Sequence, residues 1–274
     1  MKITVITVVK NAAETIEQTI RSIQSQDHLE LEHIVVDGGS TDGTVELLWD
    51  PTLAPTTLIT ERDGGVYEGF NRGLAAATGD VIGFLNGDDV FDGPDVLSAV
   101  AMAFESGVTH AVYGDLVYVK RGDLTRVIRH WRAGEADATD IRRGWMPPHP
   151  TFYARREVLN AVGKFDASFR ISGDYEYFLR VAKLPRLHMK YLPRTLVRMR
   201  AFGMSNWPPT NHLRKWREDL RAMRRHKVGG ILTLLGKNFR KLPQLFVHHG
   251  DESNVPIMAA NLPQVTVGEG VTPP

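Results

Sequence analysis

Apolar positions in the first half of the chain fall into short dense runs separated by stretches with helical spacing. Ile3 to Val9 is a β-branched run, and Ala12 to Gln26 repeats apolar residues at Ile16, Ile20 and Ile23. Ile34-Val35-Val36 forms a second run, Thr44 to Trp49 reads as a short helix, and Thr57 to Thr60 as a third strand. Tyr67 to Ala77 is helical in its spacing, and Val81 to Leu85 closes the series as a fourth strand. Strands apolar on both faces and alternating with helices predict a parallel sheet covered on both sides.

Each strand is followed by a polar cluster: Lys10-Asn11, Asp37-Gly38-Gly39-Ser40, Glu61-Arg62-Asp63-Gly64-Gly65 and Asn86-Gly87-Asp88-Asp89. Open α/β sheets bind ligands outside the carboxyl ends of their strands, so the clusters are expected to converge on one site.

The second half is more mixed. Ala111 to Asp115, Leu116 to Val119 and Leu187 to Met199 read as strands, and Arg155 to Val162 and Tyr175 to Ala182 as helices. Pro147-Pro148-His149-Pro150 is a stiff loop, and His212 to Lys227 a strongly basic helix. The expected organisation is a catalytic unit over 1–210, a basic helical extension over 211–250 and a flexible tail over 251–274. The unit divides into two halves, 1–110 and 111–210.

Length and composition narrow the chemistry. A chain of 274 residues with 42% hydrophobic and 24% charged residues is ordinary for one large globular unit. Lys plus Arg (33) nearly balance Asp plus Glu (32), so the chain as a whole is no polyanion binder. The absence of cysteine excludes disulfides, thiolate zinc sites and a cysteine nucleophile. The N-terminus lacks the signature of a signal peptide, and no apolar run reaches the roughly 18–20 residues of a transmembrane helix. A cytoplasmic protein is expected, either free or peripheral on the inner face of the plasma membrane.

The candidate chemistry sits in the clusters. Carboxylates at the end of a strand, Asp88 and Asp89, suit a hard divalent cation shared with substrate phosphates. Asp37 can accept hydrogen bonds from a base or ribose, with Asp42 the better candidate for a structural cap. Arg72, on the helix after Asp63-Gly64-Gly65, suits phosphate. Asp174 stands where a helix begins and can either cap it or take a proton. His149 can contact phosphate, metal or acceptor, or be a buried structural histidine. No G-x-G-x-x-G opens a helix after the first strand, and no Gly-Lys-Ser/Thr triplet exists. The basic helix carries Arg214, Lys215, Arg217, Arg221, Arg224, Arg225 and Lys227 among Leu213, Trp216, Leu220 and Met223, with Lys237, Arg240 and Lys241 beyond. Such a stretch suits an anionic membrane surface or an acidic partner. No stacking-aromatic pattern accompanies it, which argues against nucleic acid.

Taken together, these pieces resemble the family 2 glycosyltransferases of GT-A fold. The resemblance is carried, from Ile3 to about Asn206, by Ile6-Thr7-Val8-Val9-Lys10-Asn11, Val35 to Thr44, Asp63 to Tyr67 with Asn71-Arg72-Gly73, Thr78-Gly79-Asp80, Phe84 to Asp89, and Gly173-Asp174-Tyr175-Glu176. Pro148-His149-Pro150-Thr151 and Phe202-Gly203-Met204-Ser205-Asn206 resemble the branch that decorates bacterial exopolysaccharides, lipopolysaccharides and glycolipids. The resemblance implies a Rossmann-like, mostly parallel sheet flanked by helices, with 1–110 as its nucleotide-binding half, 111–210 as its acceptor half and the basic helical extension appended. It implies an inverting transfer of a sugar from a nucleotide-diphosphate donor to a hydroxyl of a saccharide or lipid-linked acceptor, with Mn²⁺ or Mg²⁺. Thr7, Asn11, Asp37, Asp63, Arg72, Asn86, Gly87 and Asp88 would line the nucleotide-sugar site. Asp88 would hold the metal with Asp89 in support, Asp174 would be the base, and His149 and Ser205 would lie toward the acceptor. A nucleotidyltransferase or a non-catalytic sugar-nucleotide binder are the alternatives. Two positions depart from the family pattern. Asn86 replaces the first acid of Asp-x-Asp-Asp, and Gly173 stands where many relatives carry Glu.

Overall fold

The computed structural model describes residues 1–62, 64–201, 210–230 and 233. Asp63, Ser205, the Phe202–Asn206 stretch, Lys237, Arg240, Lys241 and the 251–274 tail lie outside the described residues. The chain runs β1 (Ile3–Val9), α1 (Ile16–Gln24), β2 (Leu31–Asp37), α2 (Thr44–Leu48), β3 (Thr57–Thr60), α3 (Val66–Ala76), β4 (Val81–Phe84), β5 (Val90–Phe91) and α4 (Val96–Phe104). It continues with β6 (Ala111–Lys120), β7 (Asp123–Trp131), α5 (Ala138–Arg142), a 3₁₀ turn at His149–Thr151, β8 (Tyr153–Arg155), α6 (Arg156–Val162), α7 (Gly173–Val181), β9 (Met189–Arg200) and α8 (Thr210–His226).

One mixed sheet, ordered β3-β2-β1-β4-β8-β6-β9-β5, carries the molecule, with β7 paired to β6. The β3-β2-β1-β4 half is parallel, as the alternating pattern predicts. Beyond it β8 runs antiparallel to β4 and to the start of β6, and β6 pairs in parallel with β9. The long β6 therefore ends at the same edge as β4. The alternating pleat divides the core. Ile6, Ile34, Val36 and Phe84 pack with α3 and α7, while Ile3, Val5, Val81 and Leu85 pack with α4. Gly73 is needed because α3 lies so close to β1 that a Cβ there would sit 2.3 Å from Ile6.

The Thr78-Gly79-Asp80 motif proves to be architectural. Thr78 binds Glu32 through both its amide (2.7 Å) and its hydroxyl, and Asp80 accepts the Lys2 amide at 2.8 Å. A Cβ on Gly79 would meet Thr4 Oγ1 at 2.5 Å. Burial works against the Glu32 charge, but hydrogen bonds from Lys2, Thr4 and Thr78 outweigh it and bring its pKa down to about 2. This network closes the amino ends of β1 and β4, opposite the edge where the polar clusters gather.

No helix among the described residues is long and apolar enough to cross a membrane. The basic stretch forms α8, which packs on α7: Glu218, Asp219, Ala222 and Met223 are buried, while Leu213 and Trp216 are 55% and 47% exposed.

Candidate active site

At the carboxyl edge the first two loops are laced together. Gly38 N–H donates to the Val9 carbonyl (2.9 Å), Asn11 N–H to Ser40 Oγ (2.8 Å), and Thr41 N–H to Asn11 Oδ1 (2.9 Å). Asn11 takes a left-handed φ of 52°, a conformation asparagine tolerates better than most residues. Asp42 accepts from Ala13 N–H (3.0 Å) and Thr44 N–H (3.1 Å) and from the Thr44 hydroxyl, the structural role expected of it. Burial works against the Asp42 charge, but those hydrogen bonds prevail and lower its pKa.

Several candidates are more committed than their sequence suggests. Thr7 is fully buried and its hydroxyl shares a hydrogen bond with His33 Nε2 at 3.0 Å. It is packed against the neighbouring strand β2 through that bond. Asp37, 1% exposed, folds back on its own loop, accepting from the amides of Gly39 (2.9 Å) and Ser40 (3.0 Å) and from the Ser40 hydroxyl. Arg72 lies between Glu61 (2.9 Å) and Glu68 (3.0 Å), so its charge is already matched and reaching a phosphate requires giving up both pairs.

The loop after β4 is the most elaborate part. Gly87 passes so close to β1 that a Cβ would stand 2.8 Å from Val9 Cγ2, and its carbonyl accepts the Thr15 hydroxyl at 3.0 Å. Asn86 donates Nδ2 to Asp89 Oδ2 at 2.8 Å. Asp89 is fully buried and also accepts the Arg200 amide at 3.3 Å. Arg200, 4% exposed, is spent on the loop: its guanidinium donates to the Asp88 carbonyl, to Gln18 Oε1 and to the Arg121 carbonyl (3.1 Å). A groove of about 530 Å³ opens over it, between the start of α1 and the β6–β7 turn. Burial pushes the Asp88 pKa up, opposed by the nearby Arg200 charge. Asp89, deeper still and beside the Asp88 charge, is raised well above the usual carboxylate range.

This decides how a divalent metal fits. Among the described residues no group of three or more His, Cys, Asp or Glu is arranged to hold an ion. Asp88 is half-buried, its carboxylate met by its own backbone amide and by the nearby Arg200 and Arg121 charges, whereas Asp89 is sealed into the loop. A single protein carboxylate completed by substrate phosphates and water is a common way to bind Mg²⁺, so the donor set fits a metal that arrives with its diphosphate. Asp89 holds the loop through Asn86 and the Arg200 amide.

Asp174 stands in the first turn of α7. Its Oδ1 accepts the Tyr175 amide at 2.7 Å. Burial raises the pKa of Tyr118, and the negative charges of Asp89 and Asp174 both reach it, so both acidic positions lie near this residue of β6. Tyr67, buried, is likewise raised well above its ordinary value, first by burial and then by Asp174. Its hydroxyl donates to the Ile171 carbonyl at 2.7 Å, and its ring lies against Gly173, where a Cβ would be 2.7 Å away. The missing glutamate at position 173 is thereby explained: Tyr67 occupies the space. His149 stacks on Phe84 (centroids 5.1 Å) and beside Phe70 (5.2 Å), and its Nε2 makes no hydrogen bond. Burial lowers its pKa against the pull of Asp174, so the ring is held neutral within reach of the Asp174 charge.

Asn11, Asp37 and the Asn86–Asp89 loop follow parallel strands and share one edge of the sheet, and the Asp174 charge reaches Tyr118 of β6, as does that of Asp89. Tyr67, Tyr118, Arg200 and Glu218 belong to that assembly and were not singled out by sequence. Only Tyr67, inside the quoted Asp63–Tyr67 segment, carried any signal.

The model of the family described as Glycosyl transferase family 2 matches residues 4–202 of this chain. The chain belongs to glycosyl transferase family 2. An uncharacterised glycosyltransferase of Mycobacterium tuberculosis is 30% identical over 191 residues, covering 66% of this chain and 68% of that protein. A PGL/p-HBAD biosynthesis glycosyltransferase of Mycobacterium bovis is 28% identical over 197 residues, covering 70% of this chain and 74% of that one. Among solved structures, Staphylococcus aureus TarS 1–349 in complex with UDP superposes with a TM-score of 0.64 at 17% identity, over 89% of this chain and 72% of that one. The chain spans 44% of the longer TarS crystal structure. The mannosyltransferase PcManGT from Pyrobaculum calidifontis, in complex with GDP-Man and Mn²⁺, gives 0.61 at 19% identity, over 89% and 70%. These superpositions establish the GT-A architecture for this family member.

Proposed function

We propose that this glycosyltransferase moves a sugar from a nucleoside-diphosphate donor to an acceptor hydroxyl by a single, inverting displacement. The observation that supports the reading is that the charges of Asp174 and of Asp88's neighbour Asp89 both reach Tyr118 of β6, so the two acidic positions lie near one strand. The nucleotide lies along the β1 and β2 loops, near Asn11 and Asp37, with Asn86 toward the ribose. Asp88 faces the diphosphate. A bound Mn²⁺ or Mg²⁺, held by Asp88 and donor oxygens, would neutralise charge developing on the leaving phosphate. Asp174 takes the acceptor proton as the hydroxyl oxygen bonds to the anomeric carbon, and the bond from that carbon to the diphosphate oxygen breaks on the opposite face. A base in this role contributes about 10²- to 10⁴-fold. Neutral His149 walls the acceptor side. The complexes of TarS with UDP and of PcManGT with GDP-Man and Mn²⁺ support a nucleotide-sugar donor.

The acceptor we assign to cell-surface glycolipid or polysaccharide synthesis, a reading supported by the name of the Mycobacterium bovis relative. The outward face of α8, with Leu213, Trp216, Arg214, Arg217 and Arg224 exposed, suits the anionic inner face of a membrane, where a lipid-linked acceptor resides. The test is the product. Nucleoside diphosphate released together with a glycosylated acceptor of inverted anomeric configuration supports the reading, whereas pyrophosphate release points to nucleotidyl transfer.

A further inference from the structure

The family match ends at residue 202, so α8 lies outside it. Yet the inward face of α8 touches the segment that delivers Asp174. Glu218, 8% exposed, accepts the backbone amides of Arg170 (3.1 Å), Ile171 (2.8 Å) and Ser172 (2.9 Å), the three residues that lead into α7. Ser172 itself makes no side-chain cap on α7, so the anchoring of this entry comes from another helix. The same segment is held from the donor side: Tyr67 donates to the Ile171 carbonyl (2.7 Å), and Arg170 donates to the Gly64 carbonyl. Further along, Glu176 is bound by Arg180 at 2.9 Å and by His226 of α8 at 2.8 Å. A carboxylate is suited to the task, because several N–H donors pointing at one spot need an acceptor with spare lone pairs and negative charge.

We infer that Glu218 is a positioning residue for Asp174, which makes α8 part of the catalytic apparatus rather than an appendage. The inference rests on the assignment of Asp174 as the base. With Glu218 in place, the entry to α7 is pinned between α8 and the Gly64–Tyr67 segment, and the Asp174 carboxylate is presented at a fixed depth. Without it the amides at 170–172 lose their acceptor, the entry loosens, and the base drifts from the acceptor oxygen.

The experiment combines Glu218→Ala, Glu218→Gln, Asp174→Asn and the double variant Glu218→Ala/Asp174→Asn. Each is followed by nucleoside diphosphate release from UDP-GlcNAc and GDP-mannose with Mn²⁺, by donor KM, and by amide hydrogen exchange. Glu218→Ala is expected to accelerate exchange at 170–172 and lower kcat about 10- to 100-fold, the usual cost of small misplacement, with donor KM nearly unchanged. Glu218→Gln keeps one accepting oxygen and should fall between this variant and the parent, which preserves the test if the alanine variant folds poorly. Because Glu218 acts through Asp174, the double variant should be no slower than Asp174→Asn alone. Losses that multiply in the double variant, or parent kcat in Glu218→Ala despite faster exchange, would overturn the positioning role while leaving Asp174 in place. Asp174→Asn turning over at the parent rate would instead remove the base assignment. Where the parent releases nothing from these two donors the comparison is run with dTDP- and CDP-linked sugars, and absence of release from all four classes would remove the transfer reading and this inference with it.

Discussion

Replacing Gly173 by alanine puts one methyl group where the Tyr67 ring already is. An ideal Cβ there stands 2.7, 2.8 and 2.8 Å from three ring carbons, all under the distance real Cβ contacts reach. The ring has little room to retreat. It is 5% exposed, stacks on Phe165 with centroids 5.8 Å apart, and is tethered through its hydroxyl to the Ile171 carbonyl. Overpacking of this kind costs about 1–3 kcal/mol. In a chain of this size that corresponds to a melting temperature lower by roughly 2–12 °C, at about 2–4 °C per kcal/mol. Urea unfolding of Gly173→Ala, Tyr67→Leu and the double variant measures the clash directly. Tyr67→Leu is destabilising alone, but it vacates the space, so the double variant should be more stable than the sum of the singles by about 1–3 kcal/mol. Parent-like stability of Gly173→Ala, or strict additivity with Tyr67→Leu, would refute the claim that Tyr67 dictates glycine at this position. Gly173→Glu, which restores the residue many relatives carry, should be worse than alanine.

Three further outcomes are expected. His33 is fully buried, and burial brings its pKa down from 6.5 to about 3, so between those values the unfolded chain binds the proton that the folded chain refuses. Stability from this group is therefore complete above pH 6.5 and falls by about 1.4 kcal/mol per pH unit below it. His33→Gln should flatten the stability profile between pH 6.5 and 5, and an unchanged slope would count against the burial argument. Glu32 has the opposite charge type but the same direction of loss. Its folded pKa of about 2 lies below the ordinary 4.5, so its stabilisation is present above pH 4.5 and disappears as pH falls toward 2. The stability gap between the parent and Glu32→Gln should accordingly narrow from pH 5 to pH 3 in urea titrations. Arg200→Lys keeps a charge but cannot reach the Asp88 carbonyl, Gln18 and the Arg121 carbonyl together, so donor turnover should fall about 10-fold or more as the Asp88 loop loosens. Full turnover in that variant would show that the loop is held without Arg200.

The parallel half of the sheet was legible because its strands are apolar on both faces and its helices keep a clean period, as at Ile16, Ile20 and Ile23. The convergence of the polar clusters followed from strand direction alone. What sequence missed has physical reasons. The helix Val96–Phe104 is apolar nearly all round and offers little periodicity, β5 is two residues long, and β7 is a half-exposed hairpin arm with polar residues throughout. Thr78-Gly79-Asp80 supported the family resemblance yet closes the far end of the sheet, because a motif records what a fold needs as well as what a reaction needs. The pairing of Arg72, expected at phosphate, with Glu61 and Glu68 was not legible because both are individually unremarkable acids. Glu218 was hidden among seven basic neighbours on a helix whose charge suggests solvent, and only the approach of residues 170–172 gives its carboxylate a purpose.

The central claim is that Asp88 presents a metal-bound donor diphosphate at the sheet edge. Thermal unfolding with UDP, GDP, dTDP and CDP, each with and without Mn²⁺, tests it on the parent and on Asp88→Asn. The expected result is a stabilisation by one nucleotide that requires Mn²⁺, about 2.7 kcal/mol at 100 times the dissociation constant, and that is lost in Asp88→Asn. A shift independent of metal and equal in the two proteins, or no shift with any nucleotide, would contradict it.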